Sequence, residues 1–292
     1  MKFMRSSLLR FTPVVAASAL LLVPTCVFAS AEGTFEKTLT VNATPTLNVS
    51  TGSGYIKINP GSDNQIHIVG HVKAGSGWLS GSSKSAEERV NEVVKNPPIE
   101  QTGNIIRVGK DQHLNNVSID YDITAPKDTS LTANSGSGDL RITNVGMNSK
   151  LGTGSGNIEA SGLNGASSFD TGSGDIVASL TGNGDVKAGT GSGNIHLTNV
   201  SGGLKAETGS GNIEVSGKPV SLWKVGTGSG DVTLAVNGSA FTLDASTGSG
   251  GIQTDVPMTV EGSLDKHHVV GKINGGGPTV RVETGSGSVH VH

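Results

Sequence analysis

The chain has 292 residues, 44 of them glycine, and a formal net charge of −3. Lys and Arg form no cluster, which argues against nucleic acid or an anionic membrane as partner. So much glycine with so few aromatics is compatible with disorder, but the apolar residues alternate with polar ones in register with the glycines, which a disordered chain does not require.

Residues 1–31 read as an export signal. Lys2, Arg5 and Arg10 form the basic end, an apolar run occupies 14–23, and small residues at Ala29 and Ala31 offer cleavage sites. Cleavage after Ala31 is preferred over cleavage after Ala29. The run is short for a membrane span and meets Pro24, which favours removal over a retained anchor. Cys26 is the only cysteine, and Pro24-Thr25 before it is a poor lipidation context. The processed chain then has no cysteine, so disulfides cannot stabilise it. The three signal charges are all positive, which leaves 18 basic against 24 acidic residues. No second apolar stretch of spanning length follows, and Val289-His290-Val291-His292 gives no hydrophobic tail. The expectation is an exported protein (periplasmic, on the outer surface or secreted) that is not integral to a membrane and would need another component for surface display.

From 32 to 130 the pattern is irregular. Strand-like runs fall at 37–41, 55–58, 65–72, 104–108 and 116–123, and Thr51-Gly52-Ser53-Gly54-Tyr55-Ile56 starts a first turn phrase with longer coils. Ser85 followed by Glu88 is a capping box opening a helix with Val90, Val93 and Val94, which Pro97-Pro98 stops. Such a helix suits the open end or side of a sheet, where unpaired edges invite aggregation.

From 131 to 292 one phrase recurs: Thr or Ser, then Gly-Ser-Gly, usually followed by Asp or Asn and Ile or Val. Its first glycines are Gly136, Gly154, Gly172, Gly191, Gly209, Gly228, Gly248 and Gly285. The last interval, 37 residues, is close to two periods of the others, which run from 18 to 20. Apolar residues stand two and four places before the Thr, as at Ala188 and Val186, and two and four places after the phrase's second Gly, as at Ile195 and Leu197. Alternation on both sides of a glycine turn means two short strands per repeat. Two strands in so few residues bury nothing alone, but stacked on their copies they enclose a narrow core. A third apolar position (Val145, Leu163, Leu180, Val200, Val236) fills the far corner. The predicted fold is all-β: a single-stranded parallel β-helix or solenoid with coils of about 19 residues, continuous with 32–130, holding about nine coils after Leu131. The turn glycines serve φ > 0 or close backbone approach. The repeated Thr is expected to ladder, bonding the next coil or the turn, and the Asp/Asn after each turn to satisfy nearby amides.

In Ser118-Ile119-Asp120-Tyr121-Asp122-Ile123-Thr124-Ala125-Pro126, in the Thr-Gly-Ser-Gly repeats and in Gly271-Lys272-Ile273-Asn274-Gly275-Gly276-Gly277-Pro278, the chain resembles the putative adhesin family of exported bacterial β-strand-repeat proteins. The resemblance covers nearly the whole processed chain. It implies a right-handed β-helix and an export route, and supplies no catalytic residues.

Three chemistries compete with a purely binding or structural role. The tandem over 181–195 resembles calcium-binding rolls, but the acid or amide directly follows the glycine and Asn often replaces Asp, leaving few carboxylates for calcium's six to eight oxygens. A polysaccharide-cleaving β-helix needs converging carboxylates, for which Asp170, Asp175 and Asp185 are the candidates, yet coils this short lack loops to build a cleft. His267-His268 and the pair His290/His292 lack acidic or Cys partners at metal-ligand spacing. Trp78, in a Gly/Ser-rich loop, is a candidate sugar platform, while Trp223 falls at an inward position. The outward residues Glu159, Lys187, His196, Lys205, Glu207, Glu214 and Lys224 read as mixed-charge rows. The expectation is therefore a non-catalytic adhesin or envelope protein with no catalytic, cofactor or metal residues and no cofactor. The sequence names no partner; the candidate classes are a glycan and a cell-envelope or surface component.

Overall fold

The computed structural model describes residues 30–75, 84–109, 116–236, 238–260 and 265–292. The signal segment up to Ala29, Cys26 and Trp78 lie outside the described residues. In the first part of the chain come β1 (Ala31–Thr40), β2 (Thr46–Thr51), β3 (Ile56–Pro60), β4 (Gln65–Ala74), α1 (Ala86–Lys95), β5 (Ile99–Thr102), β6 (Ile105–Val108) and β7 (Val117–Ala125). The repeats give β8 (Ser130–Ser135), β9 (Leu140–Thr143), β10 (Asn148–Thr153), β11 (Ile158–Leu163), β12 (Ser167–Thr171), β13 (Ile176–Leu180), β14 (Val186–Thr190), β15 (Ile195–Val200), β16 (Leu204–Thr208), β17 (Ile213–Gly217), β18 (Trp223–Thr227) and β19 (Val232–Ala235). The chain finishes with β20 (Phe241–Thr247), β21 (Ile252–Thr254), β22 (Met258–Val260), β23 (His268–Ile273), β24 (Thr279–Thr284) and β25 (Val289–Val291).

These strands form two open sheets, one of twelve strands and one of thirteen. Each repeat contributes one strand to each sheet with the glycine phrase between them. The pair β14/β15, for example, has β14 in the larger sheet and β15 in the smaller. Equivalent strands pair in parallel: Ile158 lies beside Ile176, then come Ile195, Ile213 and Val232. Between the sheets lies one apolar cluster made of the alternating residues, with Ile195, Leu197, Ala206 and Val225 all buried. Val145, Leu163, Leu180, Val200 and Val236 are buried as well, as the third apolar position required.

The glycine corner works by close approach. A Cβ on Gly156 would lie 2.2 Å from the carbonyl oxygen of Gly138, and one on Gly193 would lie 1.9 Å from that of Gly174. Neither has a positive φ, so of the two expected reasons only contact applies. The Thr of each phrase bonds in two directions at once. Thr208 Oγ1 donates to Gly193 O of the preceding winding at 2.9 Å and accepts from Gly211 N of its own turn at 3.2 Å. Thr153, Thr171, Thr190 and Thr227 repeat the arrangement. Thr208→Val keeps the shape and leaves two buried backbone groups without this partner. It should cost about 1–3 kcal/mol in denaturant unfolding, with Thr208→Ser losing less, and a wild-type midpoint for the Val variant would contradict this role.

Stacking order departs from chain order at both ends. In the larger sheet β2 lies between β6 and β8, and in the smaller β3 lies between β7 and β9. At the other end β24 lies between β18 and β20, and β25 between β19 and β21. The 37-residue interval is therefore not a skipped period. It holds the antiparallel excursion β22–β23, which pairs outside β20 before the chain returns to fill the gap. Among the described residues, eight two-strand windings follow residue 130 rather than about nine, and the excursion β22–β23 forms none.

The helix forms where the capping box placed it. Ser85 Oγ accepts from Glu88 N, and the Glu88 carboxylate accepts from Ser85 N at 2.8 Å. Val90 and Val93 are buried in the common core, and a Cβ on Gly33 would strike Val90 Cγ1 at 2.6 Å. The helix thus packs on β1, the edge strand of the smaller sheet.

Candidate functional site

Folding sorts the charged residues by sheet. On the larger sheet, Lys150, Ser168, Lys187, Lys205 and Lys224 are in register across β10, β12, β14, β16 and β18, and Arg281 of β24 continues the row. Its first outward positions are thus basic rather than mixed. The smaller sheet carries Arg141, Glu159, Val177, His196 and Glu214 in one row. There the side chains pair off along the row: Arg141 Nε lies 2.7 Å from Glu159, and His196 Nδ1 lies 3.0 Å from Glu214. Composition could not separate the two rows, because strand assignment decides which face each residue joins.

An open groove of about 610 Å³ runs along the start of the larger sheet's strands. It is lined by Ala166 and Ser168, by the buried Ser149 and Ser167, and by Lys150, Lys187 and Lys205. Leu222, 46% exposed, stands at one end. Asp185 also lines it, with Oδ1 accepting from Gly203 N at 2.8 Å. Lys205 is neutralised by Glu207 at 2.9 Å.

The three candidate acids do not converge. Asp170 points outward from β12, one position beyond the basic row. Asp175 sits in the glycine corner, where its Oδ1 accepts from Asn194 N at 2.7 Å. Asp185 is at the opposite end of the strand. The turn residues form a ladder in which each side chain holds the amide of the next winding: Asp139 takes Asn157 N at 2.8 Å, Asn157 takes Asp175 N at 2.9 Å, and Asn212 takes Asp231 N at 2.9 Å. The expected local satisfaction is therefore made between windings. Among the described residues there is no group of three His, Cys, Asp or Glu side chains placed to hold a metal ion. Trp223 is fully buried, with Nε1 donating to Gly202 O at 2.8 Å.

A family model described as Toastrack DUF4097 matches residues 32–292. The chain belongs to the Toastrack DUF4097 family. No curated protein matches it. Among solved structures, it is similar to a putative cell adhesion protein from Clostridium sporogenes ATCC 15579 at 14% identity, over 89% of this chain and 99% of that one, with TM-score 0.28. A putative adhesin from Bacteroides fragilis NCTC 9343 matches at 13% identity over 89% and 97%, with TM-score 0.32. A putative lipid binding protein from Parabacteroides distasonis ATCC 8503 matches at 12% identity over 89% and 96%, with TM-score 0.31. No helix among the described residues is long and apolar enough to cross a membrane.

Two clusters at the ends of this Toastrack chain were not legible in its sequence. At one end Tyr55 Oη donates to Asp122 Oδ2 at 2.8 Å, His71 Nε2 lies 3.3 Å from Asp122, and Lys73 Nζ lies 3.1 Å from Asp120. Burial and the Asp122 carboxylate push the Tyr55 phenol up to about 12. At the other end Asp244 joins His268 at 3.1 Å to Arg281 at 2.9 Å, and Asp255 accepts from His290 at 2.8 Å. These contacts tie the outermost winding to β23, β24 and β25. The metal candidates His268 and His290 are thus engaged with carboxylates across strands.

The C-terminal pairs set a pH dependence. Partial burial raises the Asp244 carboxyl, but hydrogen bonds from His268 and Arg281 outweigh it and hold the group below its ordinary value. Hydrogen bonds from His290 and Gln253 hold Asp255 low as well. A carboxylate depressed in the folded state stabilises fully above its unfolded pKa, near 4, and loses this as pH falls through the folded value. The outer winding, residues 241–254, should therefore lose amide protection as pH falls below the ordinary carboxylate range, before residues 148–180 do. Hydrogen exchange corrected for intrinsic rates reads this, and simultaneous loss in both regions would contradict it.

Proposed function

We propose that this Toastrack chain is an exported, non-catalytic binding module serving surface attachment or envelope structure. Residues 1–31 would be its removed signal and 32–292 one continuous domain, a single-stranded parallel β-helix of right hand with coils of about 19 residues. The observation that carries the binding reading is the outward basic row beside a shallow groove, on a sheet held rigid by bonds between every pair of windings. The scattered positions of Asp170, Asp175 and Asp185 favour binding over glycan hydrolysis, which needs two carboxyl groups facing one bond. The continuous apolar cluster supports a single domain.

Purified chain 32–292 on a glycan array, with a reducing-sugar assay on the same ligands, tests the reading. Binding without release of reducing ends is expected. Hydrolysis of a bound glycan, or binding to none, would overturn it.

A further inference from the structure

The basic row has an inner periodicity that the repeat alone does not require. Lys205 is neutralised by Glu207 in its own strand, and Arg281 is held by two hydrogen bonds to Asp244. Lys150, Lys187 and Lys224 are exposed and have no ion-pair partner among the described residues. They stand on β10, β14 and β18, every second winding, and the windings between carry Ser168 or the neutralised Lys205. At about 4.8 Å per winding, unpaired ammonium groups recur every ~10 Å along a straight line. The register holds their backbone spacing fixed, so a ligand meets preorganised charges.

Resting on the binding reading above, we propose that this row takes a linear acidic glycan, laid along the stacking direction, with one acidic group per disaccharide. Each lysine meets the anion of every second sugar. The sugar between Lys150 and Lys187 lies over Ser168, the small outward residue of β12, and Leu222 offers an apolar edge to a ring face. The neighbouring acids Asp170 and Asp185 set a counter-charge beside the row that disfavours a polymer charged at every unit. No aromatic side chain lies in the row, so a single-stranded nucleic acid finds no stacking platform. The smaller sheet, whose row is hydrogen-bonded to its own carboxylates, provides the internal comparison.

The test is calorimetric titration of chain 32–292 with hyaluronan decasaccharide, one carboxylate per disaccharide, at low and at physiological salt. Neutral chitin oligosaccharide, polygalacturonate, an oligonucleotide and vesicles containing phosphatidylglycerol serve as comparisons. The triple variant Lys150→Gln/Lys187→Gln/Lys224→Gln is measured against Lys37→Gln/Lys127→Gln/Lys218→Gln, which removes the same charge elsewhere on the exposed surface. Salt-sensitive binding of hyaluronan is expected, weakened at least 10-fold in the row variant and unchanged in the other, with the same melting temperature for both. Equal loss in both variants, no loss in the row variant, no binding of hyaluronan, or tighter binding of the oligonucleotide or vesicles would overturn the proposal. Binding of the neutral glycan alone would overturn it and leave the binding-module reading intact, whereas hydrolysis would remove that reading itself.

Discussion

Gly193→Ala should destabilise the protein by about 4 kcal/mol or more, among the largest effects a single methyl can have. The added Cβ would sit 1.9 Å from Gly174 O, a backbone atom that already accepts from Thr190 Oγ1 at 2.9 Å. No rotamer relieves that contact. The two windings must separate, which breaks the ladder on both sheets. Gly52→Ala is the matched comparison: it changes a glycine of the first turn phrase, where a Cβ meets nothing within 4 Å. Its unfolding midpoint should stay within about 0.5 kcal/mol of wild type. Equal effects would mean that chain flexibility, not contact between windings, explains the glycines.

Deleting residues 279–292 is expected to do more than fray an end. The last residues of the chain form an internal winding, with Val280 beside Trp223 on one side and Leu243 on the other. Without it β18 and β20 lose their shared partner, and the fully buried Trp223, Leu243 and Val232 face water. Burial of each such side chain contributes about 1.5–3 kcal/mol, so the region from 223 to 273 should lose its protection as a unit. Hydrogen exchange on the truncated chain reads this directly. Protection confined to normal values up to Ile252 would show that the final segment lies at the outside.

The regular part of this architecture was legible because its constraints are local and repeated. Each Thr-Gly-Ser-Gly phrase with its flanking alternation fixes two strands and a corner, and Ile195, Leu197 and Ala188 are buried as that alternation requires. The helix was legible from Ser85 and Glu88 for the same reason. What could not be read was the order of the end windings. Pairing of β24 with both β18 and β20 depends on the excursion β22–β23 returning across the end, and parallel strands with the same spacing give no sequence signal for which neighbour they choose. The short strand β5 also went unmarked, because Ile99–Thr102 carries too few alternating positions, whereas β2 follows the repeat rule, with Leu47 and Val49 four and two places before Thr51. The basic row was within reach of the same repeat pattern. Lys187, Lys205 and Lys224 each stand three places before a phrase's Thr, and Glu159, His196 and Glu214 three places after a phrase's second Gly. The two sets therefore belong to different strands of the repeat, and reading them together as one surface hid the like-charged row.

The inserted winding is tested most directly by engineered disulfides, since the single cysteine of the sequence lies at Cys26, before the family match begins at 32. Gly226, Glu283 and Ser246 share one outward row on β18, β24 and β20. Adjacent windings stand about 4.8 Å apart, within the span a disulfide bridges, while two windings stand about 10 Å apart and cannot be bridged. On mild oxidation of chain 32–292, Gly226→Cys/Glu283→Cys should form an internal bridge and Gly226→Cys/Ser246→Cys should not. A bridge in the second pair and none in the first would mean that the windings stack in simple chain order, and would contradict the architecture described.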